Sequence, residues 1–176
     1  MSAAGGAAGT ALHDLSPLEP PVRRLADALR ARGWRMASAE SCTGGLVAAA
    51  CTSVAGSSDW FERGFVTYSN EAKAESLGVD AALIAAHGAV SEPVACAMAA
   101  GALARSRADV AVAITGIAGP GGAVPGKPVG TVWIAAARRG AAPHAQQLQL
   151  DGDRAAVRGR SAERALSMLL DLLARA

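Results

Sequence analysis

One apolar run limits the fold of this chain more than any other segment. From Val110 to Ile114 every residue is apolar, and valine or isoleucine alternates with alanine. Such a run is typical of a strand that is covered on both faces, as in the middle of a parallel sheet. A sheet of this kind carries a helical layer on each side. The run therefore predicts a central strand in an α/β fold.

Strand and helix patterns alternate on both sides of this run. Further strands are predicted at residues 34–39, 64–69 and 131–139, and the alternating segment 145–150 suits an edge strand. Helices are predicted at residues 20–33, 46–56, 70–78, 91–107 and 153–176. The short connection before His144 makes the last two strands antiparallel. Together these patterns predict a three-layer α/β/α sandwich with a mixed, mostly parallel sheet of about five strands. A disordered leader is expected at 1–16 and one domain at 17–176.

Composition excludes several classes of partner. The formal charge is only +2, and no lysine or arginine run is interleaved with aromatic residues, so no nucleic-acid partner is expected. No apolar stretch approaches the roughly 20 residues of a membrane span, so no membrane partner is expected either. The three cysteines show neither disulfide nor metal-ligand spacing. A cytoplasmic protein is the expectation.

Polar segments follow three of the predicted strands. They read ESCTGG from Glu40, YSNEAK from Tyr68 and TGIAGPGG from Thr115. In an open α/β sheet, ligands bind beyond the carboxyl ends of the strands, where helix N-termini present free N–H groups. The third segment is neither a Walker loop nor a GxGxxG motif, and its prolines suggest a rigid turn. We expect the three segments to form one site.

Ser41 is a candidate nucleophile for acyl transfer. It lies at a strand-to-helix turn, where unpaired amides from Thr43 to Gly45 could hold a developing oxyanion. Alternatively, Ser41 or Thr43 caps the following helix and has no role in chemistry. Cys42 is a rival nucleophile, but none of the three segments contains a histidine to activate it. On this segment alone, capping and catalysis both stay open.

Lys73 is the candidate base. Fifteen of the seventeen cationic side chains are arginine, which cannot give up its proton, so only Lys73 and Lys127 could serve as an amine base. A partly desolvated Lys73 at the start of a short helix could reach back to the sheet edge and act as general base. The alternative is a solvated lysine. Tyr68 could relay a proton, or it could be a half-buried strand residue.

Six motifs in order resemble a known family. They are AESCTGGLVA, AGSSDWFERGFVTYSNEAKAESLGV, HGAVSEPVA, ITGIAGPGG, KPVGTVW and GDRAAVR. Together they resemble the CinA C-terminal domain family over residues 20–175. The resemblance implies a three-layer sandwich and hydrolysis of the carboxamide of nicotinamide mononucleotide to the acid and ammonia. It implies no metal and no cofactor. Many members also carry a separate N-terminal domain with a pyrophosphatase activity, which we do not assign here.

The resemblance also implies roles for individual residues. Ser41 falls on the nucleophile, Lys73 on the general base and Tyr68 on the tyrosine of the second motif, while Arg154 falls on an expected phosphate contact. The predicted substrate-binding residues are Glu40, Thr43, Gly44, Gly45, Asn70, Thr115, Gly116, Gly119 and Arg154. The predicted partner is a small nucleotide substrate, and small-residue helices permit a homodimer or a higher homo-oligomer. Two alternatives stay open: an amidohydrolase of another small amide, and a non-catalytic nucleotide-binding module linked to competence or DNA repair.

Overall fold

The apolar run from Val110 forms the middle strand of a five-stranded sheet, as predicted. The computed structural model describes residues 14–176 of the chain. In chain order, the strands of this part are β1 (Met36–Glu40), β2 (Phe61–Val66), β3 (Val110–Gly116), β4 (Thr131–Arg138) and β5 (His144–Gln149). They lie in the order β2-β1-β3-β4-β5.

One strand of the sheet runs against the other four. β1 pairs in parallel with both β2 and β3. β4 pairs antiparallel with β3 and with β5, so β4 alone is reversed. This confirms a mixed, mostly parallel sheet. It also confirms the antiparallel last pair and the position of β5 at an edge.

Helices cover both faces of the sheet. Within the described residues they are α1 (Glu19–Arg30), α2 (Leu46–Thr52), α3 (Asn70–Leu77), α4 (Ala81–His87), α5 (Glu92–Ala104) and α6 (Arg154–Ala174). Helices α1, α2 and α6 pack on the face of β3 that carries Val112 and Ile114. Helices α3, α4 and α5 pack on the face that carries Ala111 and Ala113. Alternate side chains of β3 therefore pack into two hydrophobic cores, one on each face of the sheet. This confirms the α/β/α sandwich.

The structure departs most from the predicted elements in three places. Helix α4 was not predicted, although Asp80 caps its N-terminus by accepting a hydrogen bond from Ala82 and Gly88 follows its last residue. Helix α2 ends at Thr52 instead of Gly56, and the Thr52 hydroxyl bonds back to a carbonyl one turn earlier. Strand β2 begins at Phe61 and ends at Val66, so Tyr68 lies beyond the strand.

The predicted leader falls mostly outside the described residues. These begin at Asp14, and Ser16 starts a 3-10 turn that leads directly into α1. Leu15 packs against the core on the α1 face. The division at residue 17 stays a prediction. Among residues 14–176, no helix combines the length and apolar character that a membrane span needs.

A pair of glycine variants tests the close packing of α5 against α3. At Gly101 in α5 a methyl group would run into the main-chain carbonyl of Leu77 at the end of α3. Gly101→Ala should therefore lower the free energy of unfolding by about 1–3 kcal/mol, although alanine is the better helix former. At Gly159 in α6 a methyl group would meet open space. Gly159→Ala should therefore raise the free energy of unfolding by about 0.5–1 kcal/mol. Urea denaturation measures both, and equal effects would contradict the close approach.

Candidate active site

The three polar segments meet at one edge of the sheet. Because β2, β1 and β3 are parallel neighbours, their carboxyl ends lie side by side. An open pocket of about 260 Å³ lies beyond them. Its lining includes the predicted residues Ser41, Tyr68, Asn70, Lys73, Thr115, Gly116, Gly119 and Arg154, together with Cys42.

Ser41 begins a tight turn, residues 41–45, which we call the Ser41 turn. The Ser41 N–H donates to the carbonyl of Ile114 at 2.9 Å, which ties the start of the turn to β3. The Gly44 N–H donates back to the Ser41 carbonyl at 3.0 Å. Gly44 and Gly45 have φ angles of 60° and 93°, a region that favours glycine, so the chain can reverse into α2. The turn leaves the Ser41 side chain facing the pocket.

The side chain of Glu40 does not line the pocket, which corrects its assignment to substrate binding. It lies beneath the Ser41 turn and is only 1% exposed. Its carboxylate accepts four hydrogen bonds, from the N–H groups of Gly45 (3.1 Å), Val47 (3.1 Å) and Ala48 (2.9 Å) and from the Ser38 hydroxyl (3.2 Å). Glu40 therefore acts as the cap of α2, whose N-cap residue Gly45 has no side chain to do so.

The amides predicted to hold an oxyanion are mostly engaged elsewhere. Gly44 donates to Ser41 and Gly45 to Glu40, and Thr43, Gly44 and Gly45 all lie outside the pocket lining. The amides of Gly44 and Gly45 therefore do not fit the predicted substrate contacts. In the Ser41 turn, the N–H groups of Cys42 and Thr43 have no acceptor within the described part of the chain.

Arg158 holds the Ser41 turn from α6, a role that sequence reasoning missed. Its guanidinium donates to the carbonyl of Thr43 at 2.9 Å. The signal lay in the GDRAAVR motif, because Arg154 and Arg158 are one helical turn apart and so share a face. Both guanidinium groups consequently reach the same edge of the sheet.

The Lys73 amine lies 3.1 Å from the Ser41 hydroxyl oxygen. Lys73 is 1% exposed and stands in the first turn of α3, which begins where Ser69 accepts a hydrogen bond from Ala72. Three backbone carbonyls also surround the amine, those of Thr67 (2.9 Å), Tyr68 (3.4 Å) and Ser69 (3.4 Å). Burial lowers the pKa of Lys73 from its ordinary value, and Cys42 and Glu71 partly oppose this. A buried amine beside a hydroxyl can accept a proton from it.

The Cys42 thiol is not suited to attack a substrate. Its side chain is buried, and burial raises the pKa of the thiol to about 11. At neutral pH it is therefore almost wholly protonated, whereas the thiolate is the reactive form. Of the two rival nucleophiles, the geometry favours Ser41, which has a base beside it.

Arg154 and Tyr68 form the rim of the pocket. The Arg154 guanidinium donates to the Tyr68 hydroxyl oxygen and to the carbonyl of Gly119, each at 2.8 Å. It stands at the start of α6, which Asp153 caps. Tyr68 is 59% exposed, so its ring is available to a ligand. The pair bridges the second and third polar segments across the pocket.

The third segment closes the far side of the pocket. The Thr115 hydroxyl donates to the carbonyl of Ala89 at 2.9 Å, which fixes the loop before α5 against the end of β3. Ala89 and Val90 consequently line the pocket, although no residue of that loop was predicted at the site. Gly116 has no room for a side chain, because a methyl group there would meet Val132.

Other candidate positions lie away from this site. A second cavity of about 260 Å³ lies between the β4–β5 hairpin and the end of α6, and its lining holds arginines but no hydroxyl and amine pair. Lys127 donates to the carbonyl of His87 at 2.8 Å and does not line the site. Within residues 14–176, no group of three His, Cys, Asp or Glu side chains is placed to hold a metal ion.

Comparisons with known proteins identify the family and the fold. The model of the CinA C-terminal domain matches residues 19–173. The nicotinamide-nucleotide amidohydrolase PncC of Escherichia coli is 55% identical, over 83% of this chain and 88% of that protein. A relative from Symbiobacterium thermophilum, described as competence-damage inducible, is 58% identical, but the chain spans only 38% of its length. The crystal structure of the competence/damage inducible protein CihA from Agrobacterium tumefaciens superposes with a TM-score of 0.86 and 43% identity, covering 98% of this chain and 99% of that one.

Removing one carboxylate oxygen from Glu40 tests its capping role. In Glu40→Gln an NH₂ group replaces an acceptor, so at least one amide of α2 faces a donor and loses its bond. The free energy of unfolding should fall by about 1–3 kcal/mol. The control is Glu92→Gln, an exposed carboxylate in the first turn of α5, which should cost only a few tenths of a kcal/mol. Comparable losses in the two variants, measured by urea denaturation, would contradict the role.

Proposed function

The chain belongs to the CinA C-terminal domain family, and we propose that it is a nicotinamide-nucleotide amidohydrolase. In this reaction the carboxamide of nicotinamide mononucleotide becomes a carboxylate, and ammonia is released. The observation that carries the proposal is the buried pair of Ser41 and Lys73, 3.1 Å apart in the pocket, in a chain so similar to PncC. A serine with an adjacent base is the arrangement that acyl transfer needs.

The first half of the reaction forms an acyl-enzyme. The free amine of Lys73 takes the proton of the Ser41 hydroxyl while Ser41 Oγ attacks the carboxamide carbon. The carbonyl oxygen becomes an oxyanion, which the free N–H groups of Cys42 and Thr43 stabilise. When the tetrahedral intermediate collapses, the C–N bond breaks and the Lys73 ammonium returns the proton to the departing nitrogen. Ammonia leaves, and the acyl group stays on Ser41 as an ester.

The second half of the reaction releases the acid. Water enters through the open mouth of the pocket, and Lys73 takes a proton from it as its oxygen attacks the ester carbon. Collapse of the second tetrahedral intermediate breaks the bond to Ser41 Oγ, which recovers its proton from Lys73. The enzyme returns to its starting state, with one amide and one water converted to an acid and ammonia.

The rim residues bind the rest of the substrate. Two N–H groups of the Arg154 guanidinium donate to protein atoms. A guanidinium has five N–H groups, so the others can contact the phosphate. Because Arg154 donates to the Tyr68 oxygen, the Tyr68 hydroxyl proton is free to be donated to the substrate or relayed to the leaving nitrogen. Asn70, Thr115, Gly116 and Gly119 line the remaining wall.

The location and partners of the protein are part of the same proposal. All three cysteines are free, which suits a reducing cytoplasm. The partner is a small nucleotide, and a homodimer or a higher homo-oligomer stays a prediction. The two other readings, hydrolysis of a different amide and nucleotide binding without catalysis, are outcomes of the assay that follows.

Ammonia release from nicotinamide mononucleotide tests the two catalytic residues. Ser41→Ala and Lys73→Met should each lower kcat by at least about 10³-fold, because each removes one partner of a pair that acts as a unit. The matched control is Lys127→Met, which removes the other lysine of the chain and should leave kcat within about twofold of wild type. Thermal melts of all three establish that they are folded.

The assay separates the proposal from its alternatives. Release at the wild-type rate by Ser41→Ala would refute the nucleophile. Binding of the mononucleotide by wild type without any ammonia release would identify a binding module. Faster release from another small amide than from the mononucleotide would identify a different amidohydrolase.

The proposed contact between Arg154 and the phosphate is tested by removing either the guanidinium or the phosphate. Arg154→Ala should raise KM for the mononucleotide by roughly 10- to 100-fold, because a charge-assisted contact contributes about 1.5–3 kcal/mol. With nicotinamide riboside, which lacks the phosphate, the same variant should change KM by less than about threefold. Equal effects on the two substrates would mean that Arg154 acts through Tyr68 and not on the phosphate.

A further inference from the structure

The amine of Lys73 lies among more acceptors than it has protons. The carbonyls of Thr67, Tyr68 and Ser69 and the hydroxyl of Ser41 all lie within 3.4 Å of its nitrogen. An ammonium has three N–H groups to donate and a free amine has two. Hydrogen bonds to the charged form favour it, so this set of oxygens favours the ammonium in the resting enzyme. Burial acts in the opposite direction.

The charged and titratable groups around Lys73 do not decide this balance. On its own helix, Glu71 favours the ammonium, and in the Ser41 turn the buried Cys42 stays a neutral thiol at ordinary pH. From α6, Arg154 reaches the same pocket and disfavours a second positive charge there. The pocket lining itself contains no aspartate or glutamate. A cation that enters the pocket is therefore not neutralised by a carboxylate in its wall.

The substrate proposed above brings such a cation. In nicotinamide mononucleotide the ring nitrogen is bonded to ribose and carries a positive charge, only three bonds from the carboxamide carbon. Attack by Ser41 on that carbon requires close contact, and the Lys73 amine lies 3.1 Å from Ser41 Oγ. The ring charge must then sit within several ångströms of the amine. At about 6 Å and an effective dielectric constant of about 20, the repulsion amounts to roughly two pKa units.

We propose that the positive ring of the substrate drives the proton from Lys73 to solvent, so that the substrate itself produces the free amine that attacks. The inference rests on the proposed function and narrows the substrate class to carboxamides on a quaternised pyridinium ring. Neutral amides of similar shape, including free nicotinamide, would leave Lys73 as the ammonium. The site would thus select by charge as well as by shape.

Proton release on binding tests the inference directly. The Ser41→Ala variant is titrated with the mononucleotide and with an isostere whose pyridinium is replaced by a neutral phenyl ring that bears the same carboxamide, ribose and phosphate. Calorimetry in two buffers of different ionisation enthalpy, at several pH values from 7 to 10, counts the protons. The mononucleotide should release up to one proton more than the isostere. In Ser41→Ala with Lys73→Met that difference should vanish.

Rate profiles of the wild type give an independent measure. The pH dependence of kcat/KM reports the free enzyme and that of kcat reports the complex. The inflection in kcat should lie about one to two pH units below that in kcat/KM. The substrate phosphate titrates near pH 6 and does not interfere in the range from 7 to 10. Coincident inflections, or equal proton release by the two ligands, would overturn the inference while ammonia release still supported the proposed function. No ammonia release at all would instead overturn the proposed function.

Discussion

The hydrogen bonds of one buried carboxylate join the Ser41 turn to the helix that follows it. Glu40 is the last residue of β1, and its side chain bonds the first amides of α2 on the other side of the Ser41 turn. The turn is therefore closed at both ends by a single residue. Gly44 and Gly45 make that closure sterically feasible. Since Glu40 is fixed in the sheet, Ser41 is fixed with it.

The register of the parallel strands then brings the other groups to Ser41. Glu40 lies level with Val66 on β2 and with Ile114 on β3. The residues that follow continue the ladder: Thr67 donates to the Glu40 carbonyl, and Ser41 to that of Ile114. The Thr67 carbonyl, the Ser41 hydroxyl and the end of β3 thus lie in a row. The Lys73 amine needs only one turn of α3 to come back over that row.

The sequence was sufficient for those parts of the site that follow from strand order. Parallel neighbouring strands end at one edge, so the sequence alone places Ser41, Lys73 and Thr115 together. The sequence was insufficient where a side chain could point either into the pocket or into the protein interior. Glu40 was predicted to contact the substrate because it belongs to a polar cluster. Its side chain instead bonds the first amides of α2. Hydrophobic periodicity and residue spacing do not distinguish these directions. The short α4 and Arg158, which lies far from the Ser41 turn in sequence, leave only local signals in the sequence.

Glu40 at the end of β1 and Lys73 in α3 are both buried next to the Ser41 turn, but their hydrogen-bond surroundings differ. For Glu40, four donors meet two oxygens that can accept about four bonds, so the accepting capacity of the side chain is fully used. For Lys73, four oxygens meet two or three N–H groups, so both protonation states are partly satisfied. Burial makes an unsatisfied group costly, which fixes Glu40 and leaves the state of Lys73 sensitive to whatever enters the pocket. Glu40 thus holds the Ser41 turn, while the amine of Lys73 stays within reach of the Ser41 hydroxyl and can exchange a proton with it, as a general base must.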